Sequence, residues 1–309
     1  MRLGSRGVGL AMTGIGLAIL PLLLPNAFWY DLATRAAINA VVVIGLNLLI
    51  GYAGQISLGH AGFVGIGAYA SAVLTSRLGW PPIAAMAAGA LATAFLALLV
   101  ARPILRLRGH ALAMATLGLG IILSMIFTNE SQWTGGPDGI VVRPFSLLGL
   151  AIAGERQWYW LCAALLLVTL WAAGNLVDSP FGRAMRALHT AEPAAKAVGV
   201  DPAAVKASIF VLSAVGASLM GSLTAHYVGF VTPQVASFLT SVELLTMVVV
   251  GGMASLAGSV VGAAVLTVLP QLLTRFEGAE TAAFGLVLVA TMIAMPRGLV
   301  PTLRERLGR

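Results

Sequence analysis

Two glycine-rich interruptions inside apolar runs constrain the fold of this chain more than any other feature. Residues 51–62 read Gly-Tyr-Ala-Gly-Gln-Ile-Ser-Leu-Gly-His-Ala-Gly, and residues 250–259 read Val-Gly-Gly-Met-Ala-Ser-Leu-Ala-Gly-Ser. Backbone that leaves a helix at membrane depth is tolerated only where it is buried in protein or lines a wet cavity. One interrupted hydrophobic segment in each half of a sequence points to the pathway of a transporter. The pattern therefore predicts a membrane transport protein.

The composition excludes an ordinary soluble domain. Hydrophobic residues make up 59% of the chain and charged residues only 9%, and the mean hydropathy is +0.96. The net charge of +7 raises the question of a nucleic-acid partner, but the basic residues lie in short loops between apolar runs, where membrane topology explains them better. We therefore expect membrane lipids and no nucleic acid. Cys162 is the sole cysteine, so neither a disulfide nor a cysteine metal site is available within one chain.

The apolar runs predict an all-α polytopic membrane protein with about ten transmembrane helices, some of them broken by glycine. The first run follows Arg2 and Arg6; it is long and its end is a weak cleavage site, which favours a retained span over a signal peptide. The predicted spans are 8–24, 37–50, 63–75, 82–100, 111–127, 158–173, 207–227, 242–253, 256–273 and 281–295.

Charge predicts the orientation. Most of the 18 basic residues fall into four clusters, which are Arg2 and Arg6; Arg102, Arg106 and Arg108; Arg183, Arg186, Lys196 and Lys206; and Arg297, Arg304, Arg306 and Arg309. A path of ten spans places all four clusters on one side, which the positive-inside rule makes cytoplasmic. Both termini are then cytoplasmic. The longest external connection, 128–157, contains a predicted tight turn at 135–139 and is either an inert connector or a docking edge.

The predicted cytoplasmic loop 177–206 has legible helix signals. Ser179 is expected to cap one short helix and Thr190 a second. Gly199 suits the left-handed end of the second helix, and Asp201 the start of the next span. The result is a compact pair of short helices at the membrane surface, with four apolar contact residues: Phe181, Met185, Leu188 and Val198.

Within this loop, the pattern Glu-x-Ala-Ala-x-x-x-Gly over residues 192–199 resembles the Glu-Ala-Ala loop of bacterial ABC importer permeases. In that family the loop forms a coupling helix that sits in a groove of the ATPase subunit. A rigid helix pair suits mechanical coupling, since a flexible loop would absorb the displacement. The residues that the resemblance assigns to coupling are Phe181, Arg183, Arg186, Glu192, Ala194, Ala195 and Gly199.

Further blocks are similar to the branched-chain amino acid ABC permeases. They are residues 54–69, 107–118, 135–140, 250–258 and 296–299, and they follow one another in family order over nearly the whole chain. The glycine-glycine-aspartate turn and the long second loop resemble the M-type member of the two paralogous permeases of leucine, isoleucine and valine importers. Permeases for urea and short amides are close relatives. The resemblance implies one permease domain over 1–309, in the plasma or inner membrane of a bacterium or archaeon.

The same resemblance implies an assembly. Two permeases, usually different but homologous, would join two cytoplasmic ATPases and an extracytoplasmic solute-binding protein that delivers branched-chain or related amino acids. ATP and Mg²⁺ would be used by the ATPases, because this chain contains no phosphate-binding loop. We therefore expect no catalytic residue, metal site or cofactor in this chain.

Nine residues at or near the interruptions are predicted to line the pathway: Gly54, Gln55, Ser57, His60, Gly62, Glu243, Gly251, Gly252 and Ser255. Polar groups inside a membrane usually face a bundle interior or a water-filled cavity. For Gln55 and His60 the alternative is hydrogen bonding to backbone that the glycines free. Glu243 has an alternative as the partner of His226. Asn39 and Asn47 lie on one side of the second span and are expected to form interhelical hydrogen bonds rather than to contact solute.

Two other classes of function compete with the ABC importer. An ion- or proton-coupled secondary transporter commonly has charged residues at mid-membrane, and these spans are nearly empty of them. An intramembrane enzyme would need a reactive constellation, and the sequence has neither a His-Glu-x-x-His helix nor a Gly-x-Ser-x-Gly elbow. The importer permease is the favoured interpretation.

Overall fold

A computed structural model describes residues 3–23, 26–105, 107, 109–147, 150–152, 154–273, 285–286, 289–290, 293–295 and 297–307. The predicted span 281–295 lies largely outside the described residues, as do Arg2, Arg106, Arg108 and Arg309. The chain is predominantly helical, in agreement with the predicted all-α class.

The helices, in chain order, are α1 Leu3–Leu23, α2 Ala27–Asn47, α3 His60–Ser76, α4 Pro82–Ile104, α5 His110–Asn129, α6 Ser131–Thr134, α7 Glu155–Asp178, α8 Pro180–Thr190, α9 Glu192–Ala197, α10 Pro202–Val228, α11 Phe238–Gly251, α12 Leu256–Leu273 and α13 Leu299–Leu307. A π-helical turn, Leu48–Tyr52, continues α2, and 3₁₀ turns cover Gly136–Asp138 and Pro233–Ala236. The strands are β1 Ile140–Val141, β2 Ser146–Leu147, β3 Leu150–Ala151 and β4 Phe230–Val231.

Each of the first nine predicted spans overlaps a helix. Five helical segments are long and apolar enough to cross a membrane: Ala27–Tyr52, Pro82–Ile104, His110–Asn129, Glu155–Asp178 and Pro202–Val228. Shorter apolar helices cover Gly9–Leu22, Phe238–Gly251 and Leu256–Leu272. Since a span needs about 20 apolar residues, the lengths establish a multi-pass membrane protein.

The chain forms two compact units, and the first consists of residues 1–44, 154–182 and 246–309. In this unit the Tyr159 hydroxyl donates a 2.6 Å hydrogen bond to the Leu17 carbonyl and so joins α7 to α1. The Asn39 amide donates a 3.0 Å hydrogen bond to the Thr267 hydroxyl, between α2 and α12. The predicted interhelical bond of Asn39 is therefore confirmed.

The second unit consists of residues 45–153 and 183–245, and its centre is the packing of α3 against α10. A Cβ atom at Gly67 would clash with the Ser218 carbonyl oxygen, and one at Gly221 would clash with the Val64 carbonyl oxygen. The Ser222 hydroxyl donates a 2.9 Å hydrogen bond to the Gly67 carbonyl. Small residues that let two helix backbones touch are the usual device for helix association in membranes.

The connection after α5 contains the predicted tight turn. Gly135, Gly136 and Gly139 have φ values of 78°, 62° and 76°, which side chains with a Cβ rarely adopt, so the turn is confirmed. Beyond it, β1 pairs antiparallel with β4, and β2 pairs with β3. The sequence did not indicate these strands, because two residues are too short to show an alternating pattern.

The predicted pairing of His226 with Glu243 is wrong. His226 Nδ1 lies 2.9 Å from the Arg143 carbonyl oxygen, to which it donates. Its Nε2 has no hydrogen-bond partner within the described part of the chain. The imidazole instead fastens the end of α10 to the segment that follows β1.

Candidate functional site

The first glycine-rich segment is a true break between two helices, as the sequence predicted. The π-helical turn ends at Tyr52, residues 53–59 are not helical, and α3 begins at His60. Gly54 has a φ of 68°, a left-handed conformation that favours glycine. The Gln55 backbone N–H still donates a 3.0 Å hydrogen bond to the Leu49 carbonyl. The last turn of the helix is therefore hydrogen-bonded before the chain leaves it.

Hydroxyl groups from two other helices satisfy the backbone amides that the break frees. The Leu58 amide donates to Thr116 Oγ1 on α5 at 3.1 Å. The Ala61 amide donates to Ser241 Oγ on α11 at 3.1 Å. The structural alternative for Gln55 and His60 was that their side chains hydrogen-bond the freed backbone. The Thr116 and Ser241 hydroxyls make these bonds instead, and they anchor the break within the second unit.

His60 joins the start of α3 to α10. Its ring is fully buried, and Nε2 lies 2.8 Å from the Ser213 hydroxyl oxygen. Phe63 packs edge-on against the imidazole at 5.8 Å and against Phe210 at 5.5 Å between ring centroids. The ring is thus held by one polar and one aromatic contact.

Three buried polar atoms at the break have no hydrogen-bond partner among the described residues: Gln55 Oε1, Ser57 Oγ and His60 Nδ1. Leaving a buried polar group unsatisfied costs about 1–3 kcal/mol. An amide oxygen, a hydroxyl and an imidazole nitrogen are neutral groups that can exchange hydrogen bonds with a polar molecule without adding a charge to the membrane interior.

Two glycines let α5 approach the break. A Cβ at Gly59 would clash with the Thr116 carbonyl oxygen, and one at Gly62 would lie 2.8 Å from Leu123 Cδ1. Gly62 therefore has a packing role.

The second predicted interruption is also a break, within the first unit. α11 ends at Gly251 and α12 begins at Leu256. Gly252 and Ala254 have φ values of 121° and 58°, and Ser255 Oγ caps α12 by accepting the Gly258 amide at 3.0 Å. A Cβ at Gly251 would clash with the Gly258 carbonyl oxygen, so the end of α11 and the start of α12 are in backbone contact.

The predicted pathway residues thus fall into two sets. Gly54, Gln55, Ser57, His60 and Gly62 surround the first break in the second unit, and Gly251, Gly252 and Ser255 form the second break in the first unit. Glu243 lies on α11, with an exposed side chain in the second unit. The structure does not bring Glu243 into hydrogen-bonding contact with the polar groups of the first break.

The predicted helix pair of loop 177–206 is present as α8 and α9. Ser179 Oγ accepts the Gly182 amide at 3.2 Å, Gly199 has a φ of 86°, and Asp201 Oδ1 accepts the Ala203 amide at 2.9 Å. These three predictions are confirmed. The predicted cap at Thr190 is wrong: its hydroxyl donates to the Arg186 carbonyl at 3.0 Å, because Thr190 is the last residue of α8 and bonds back one turn.

The helix pair has an inner and an outer face. Met185, Leu188 and Ala195 are buried, and Phe181 is partly buried. Arg183, Arg186, Ala194 and Gly199 are exposed. Val198 is 78% exposed, so it is not buried within this chain; α9 has ended at Ala197, and Val198 no longer follows the helical period.

An ion pair that the sequence did not indicate joins α9 to α10. Glu192 Oε2 lies 3.0 Å from Lys206 Nζ, and the Lys206 side chain is only 7% exposed. Glu192 Oε1 lies 3.9 Å from Lys196 Nζ, whose side chain is 57% exposed. The glutamate of the Glu-Ala-Ala pattern therefore has a structural partner on the next long helix.

Among the described residues, no group of three or more His, Cys, Asp or Glu side chains could hold a metal ion. The arrangement at the first break offers hydrogen bonding in a buried, neutral environment.

Comparison with known proteins identifies the family of the chain. Residues 29–296 match the family described as branched-chain amino acid transport system / permease component. The chain is 33% identical to the high-affinity branched-chain amino acid transport system permease protein LivM of Salmonella typhimurium, over 90% of this chain and 71% of that protein. Identity to LivM of Escherichia coli K12 is 34% with the same coverage.

The permease protein LivH of Escherichia coli K12 is 24% identical over 86% of this chain and 92% of its own length. No solved structure matches the chain. With a family match over most of its length and relatives above 30% identity, this chain belongs to the family of branched-chain amino acid transport permeases.

Proposed function

We propose that this chain is the transmembrane permease subunit of an ABC importer for branched-chain or related amino acids. Its partners would be a homologous permease subunit, two cytoplasmic ATPases that use ATP and Mg²⁺, and an extracytoplasmic solute-binding protein. The observation that carries the proposal is the first helix break, where three buried neutral polar atoms stand without hydrogen-bond partners among the described residues. The M-type relatives support the substrate class.

The chemistry of the first break suits a zwitterion in transit. An amino acid presents an ammonium donor and a carboxylate acceptor, and Gln55, Ser57 and His60 offer both kinds of partner without a fixed charge. A charged side chain would hold one end of the solute tightly and hinder release. Specificity then belongs to the external binding protein, and the membrane pathway is permissive. We also propose, for the second break taken by itself, that Gly251, Gly252 and Ser255 line a part of the translocation pathway.

The exposed face of α8 and α9 is the proposed ATPase contact. Arg183, Arg186 and Ala194 present exposed side chains there, as a docking surface requires. In this arrangement the loop and both termini are cytoplasmic, and the protein lies in the cell's inner or plasma membrane. Positive residues concentrated near this segment agree with that orientation.

Reconstitution tests the proposal directly. The chain is placed in proteoliposomes with its neighbouring permease, the ATPases and the binding protein, and uptake of radiolabelled leucine is measured. We expect uptake that requires ATP and the binding protein, and that an imposed proton gradient does not replace. Gradient-driven uptake by this chain alone would show a secondary transporter instead.

Ser57→Ala separates a pathway role from a role in folding. Because Ser57 Oγ has no partner among the described residues, removing it should leave the thermal unfolding midpoint unchanged or slightly raised. Leucine uptake should fall about fivefold to tenfold, the equivalent of one lost hydrogen bond of about 1–1.4 kcal/mol to the passing solute.

The matched control is Ser71→Ala, which removes another buried hydroxyl on α3 that lacks a partner among the described residues. Its uptake should equal that of the unmodified protein. Equal uptake by the Ser57 and Ser71 variants would remove Ser57 from the pathway.

A further inference from the structure

The last turn of α8 contacts the first helix break through His189. The imidazole Nδ1 lies 3.0 Å from the Gly51 carbonyl oxygen. Since a carbonyl oxygen can only accept, Nδ1 is the donor. The ring also lies beside Gly54, where an added Cβ atom would be 3.3 Å from His189 Cδ2 and 3.4 Å from Cγ; both residues are exposed. One side chain of the helix pair therefore touches both residues at which the chain begins to leave the helix.

The bonded carbonyl is a point of weakness in the backbone. Gly51 lies in the π-helical turn that ends at Tyr52, and the last carbonyls of a helix lack partners within it. A histidine N–H donor is a favourable partner for such a carbonyl. This hydrogen bond ties the entry into residues 53–59 to the last turn of α8.

A second route connects the helix pair to the other end of the break. Glu192 on α9 is paired with Lys206 on α10 at 3.0 Å. Further along α10, Ser213 bonds His60 at 2.8 Å, and His60 is the first residue of α3. The segment that would meet the ATPase is thus joined to the break at both ends, through Gly51 and through His60.

We propose that His189 is a positioning residue that transmits displacement of α8 and α9 to the first break. The inference rests on the proposed function, because it needs ATPases that move this segment. Met185 and Leu188 are buried, so one face of α8 is packed against the protein close to His189. Moving α8 relative to α10 shifts Gly51 against His60 and changes the shape of residues 53–59, which hold the unpartnered groups of Gln55 and Ser57.

His189→Leu tests the link, with His189→Asn as the conservative variant. Leucine fills the space without donating, whereas the asparagine amide nitrogen lies close to the position of Nδ1 and can still donate to Gly51. In the complete transporter in proteoliposomes, we measure leucine uptake and ATP hydrolysis together. We expect His189→Leu to lower the ratio of uptake to hydrolysis about tenfold, within the usual range of coupling between sites, and His189→Asn to restore most of it.

The control is Ser208→Ala, which removes an exposed hydroxyl on α10 that bonds the Ala204 carbonyl of its own helix. Its uptake per ATP should match that of the unmodified transporter. An unchanged ratio in His189→Leu overturns the inference while leaving the proposed function intact. Absence of ATP-dependent uptake in the unmodified transporter would instead overturn the proposed function, so the two failures are distinct.

Hydrogen exchange gives a readout that does not depend on transport. In the unmodified complex, we expect addition of a nonhydrolysable ATP analogue to change amide protection over residues 50–60 and over the start of α10. In His189→Leu the change over 50–60 should shrink while the change at the start of α10 persists, because the Glu192–Lys206 link is intact. Loss of both changes together would indicate a general loss of structure and would contradict a specific link through His189.

Discussion

Gly221→Ala should be among the most destabilising single substitutions in this chain. The added Cβ would lie 2.0 Å from the Val64 carbonyl oxygen and 2.8 Å from the Val64 carbonyl carbon. These are backbone atoms of α3 that cannot rotate aside, so α10 and α3 must separate along their main contact. We expect the free energy of unfolding to fall by about 3 kcal/mol, the upper end of the usual cost of overpacking. Thermal unfolding in detergent, followed by light scattering and by recovery of monodisperse protein, measures the loss.

Gly216→Ala is the matched control on the same helix. No atom lies within 4 Å of the Cβ position at Gly216. The same chemical change should therefore leave the unfolding temperature unchanged or raise it slightly, since alanine favours a helix more than glycine does by up to about 1 kcal/mol. Similar unfolding temperatures for the two variants would show that α3 and α10 are not in backbone contact in the folded protein.

Glu192→Ala should produce the second large effect, because it leaves the Lys206 ammonium buried without its carboxylate. Lys206 is 7% exposed, and breaking a buried pair by removing one partner costs about 3–5 kcal/mol. Glu192 itself is 18% exposed, which favours the lower end, about 3 kcal/mol. The unfolding temperature should fall, and ATP-dependent uptake should be lost because α9 is released from α10.

Two further variants make this prediction specific. Lys196→Ala removes the exposed, more distant partner of Glu192 and should cost less than about 1 kcal/mol, as surface pairs do. The double variant Glu192→Leu with Lys206→Met replaces both charges by apolar groups of similar size, which is often neutral or stabilising. It should recover the unfolding temperature. If Glu192→Ala were no worse than Lys196→Ala, the buried pair would have no structural weight.

Local features of this fold were predictable because their causes are local. The two helix breaks follow from clustered glycines, and the structure places residues 53–59 and 252–255 outside helices. Ser179 and Asp201 act as helix caps that need only the next few amides. Thr190 had the same composition signal as Ser179, but α8 continues through Thr190, and Ala191 takes the N-cap position of α9. That choice depends on where α8 ends, and the sequence leaves it open by a residue or two.

The contacts that give the candidate site its geometry were not predictable, because they join residues far apart in the chain. His189 and Gly51 are separated by 138 residues, and His60 and Ser213 by 153. Sequence patterns report which face of a helix is apolar, and they do not report which helix that face meets. The Glu192–Lys206 pair is closer in sequence, at 14 residues, but it spans two helices and a turn. Only the fold of the turn around Gly199 brings the two charges together.

The ion pair at α9 also has a practical consequence for watching the protein work. The chain contains two lysines; one is buried against Glu192 and the other, Lys196, has a side chain that is 57% exposed. An amine-reactive fluorophore would therefore attach, apart from the amino terminus, at a single place on the outer face of the helix pair. No engineered cysteine would be needed. Changes in the fluorescence emission of the labelled natural protein would then follow the binding and release of the proposed ATPase partner.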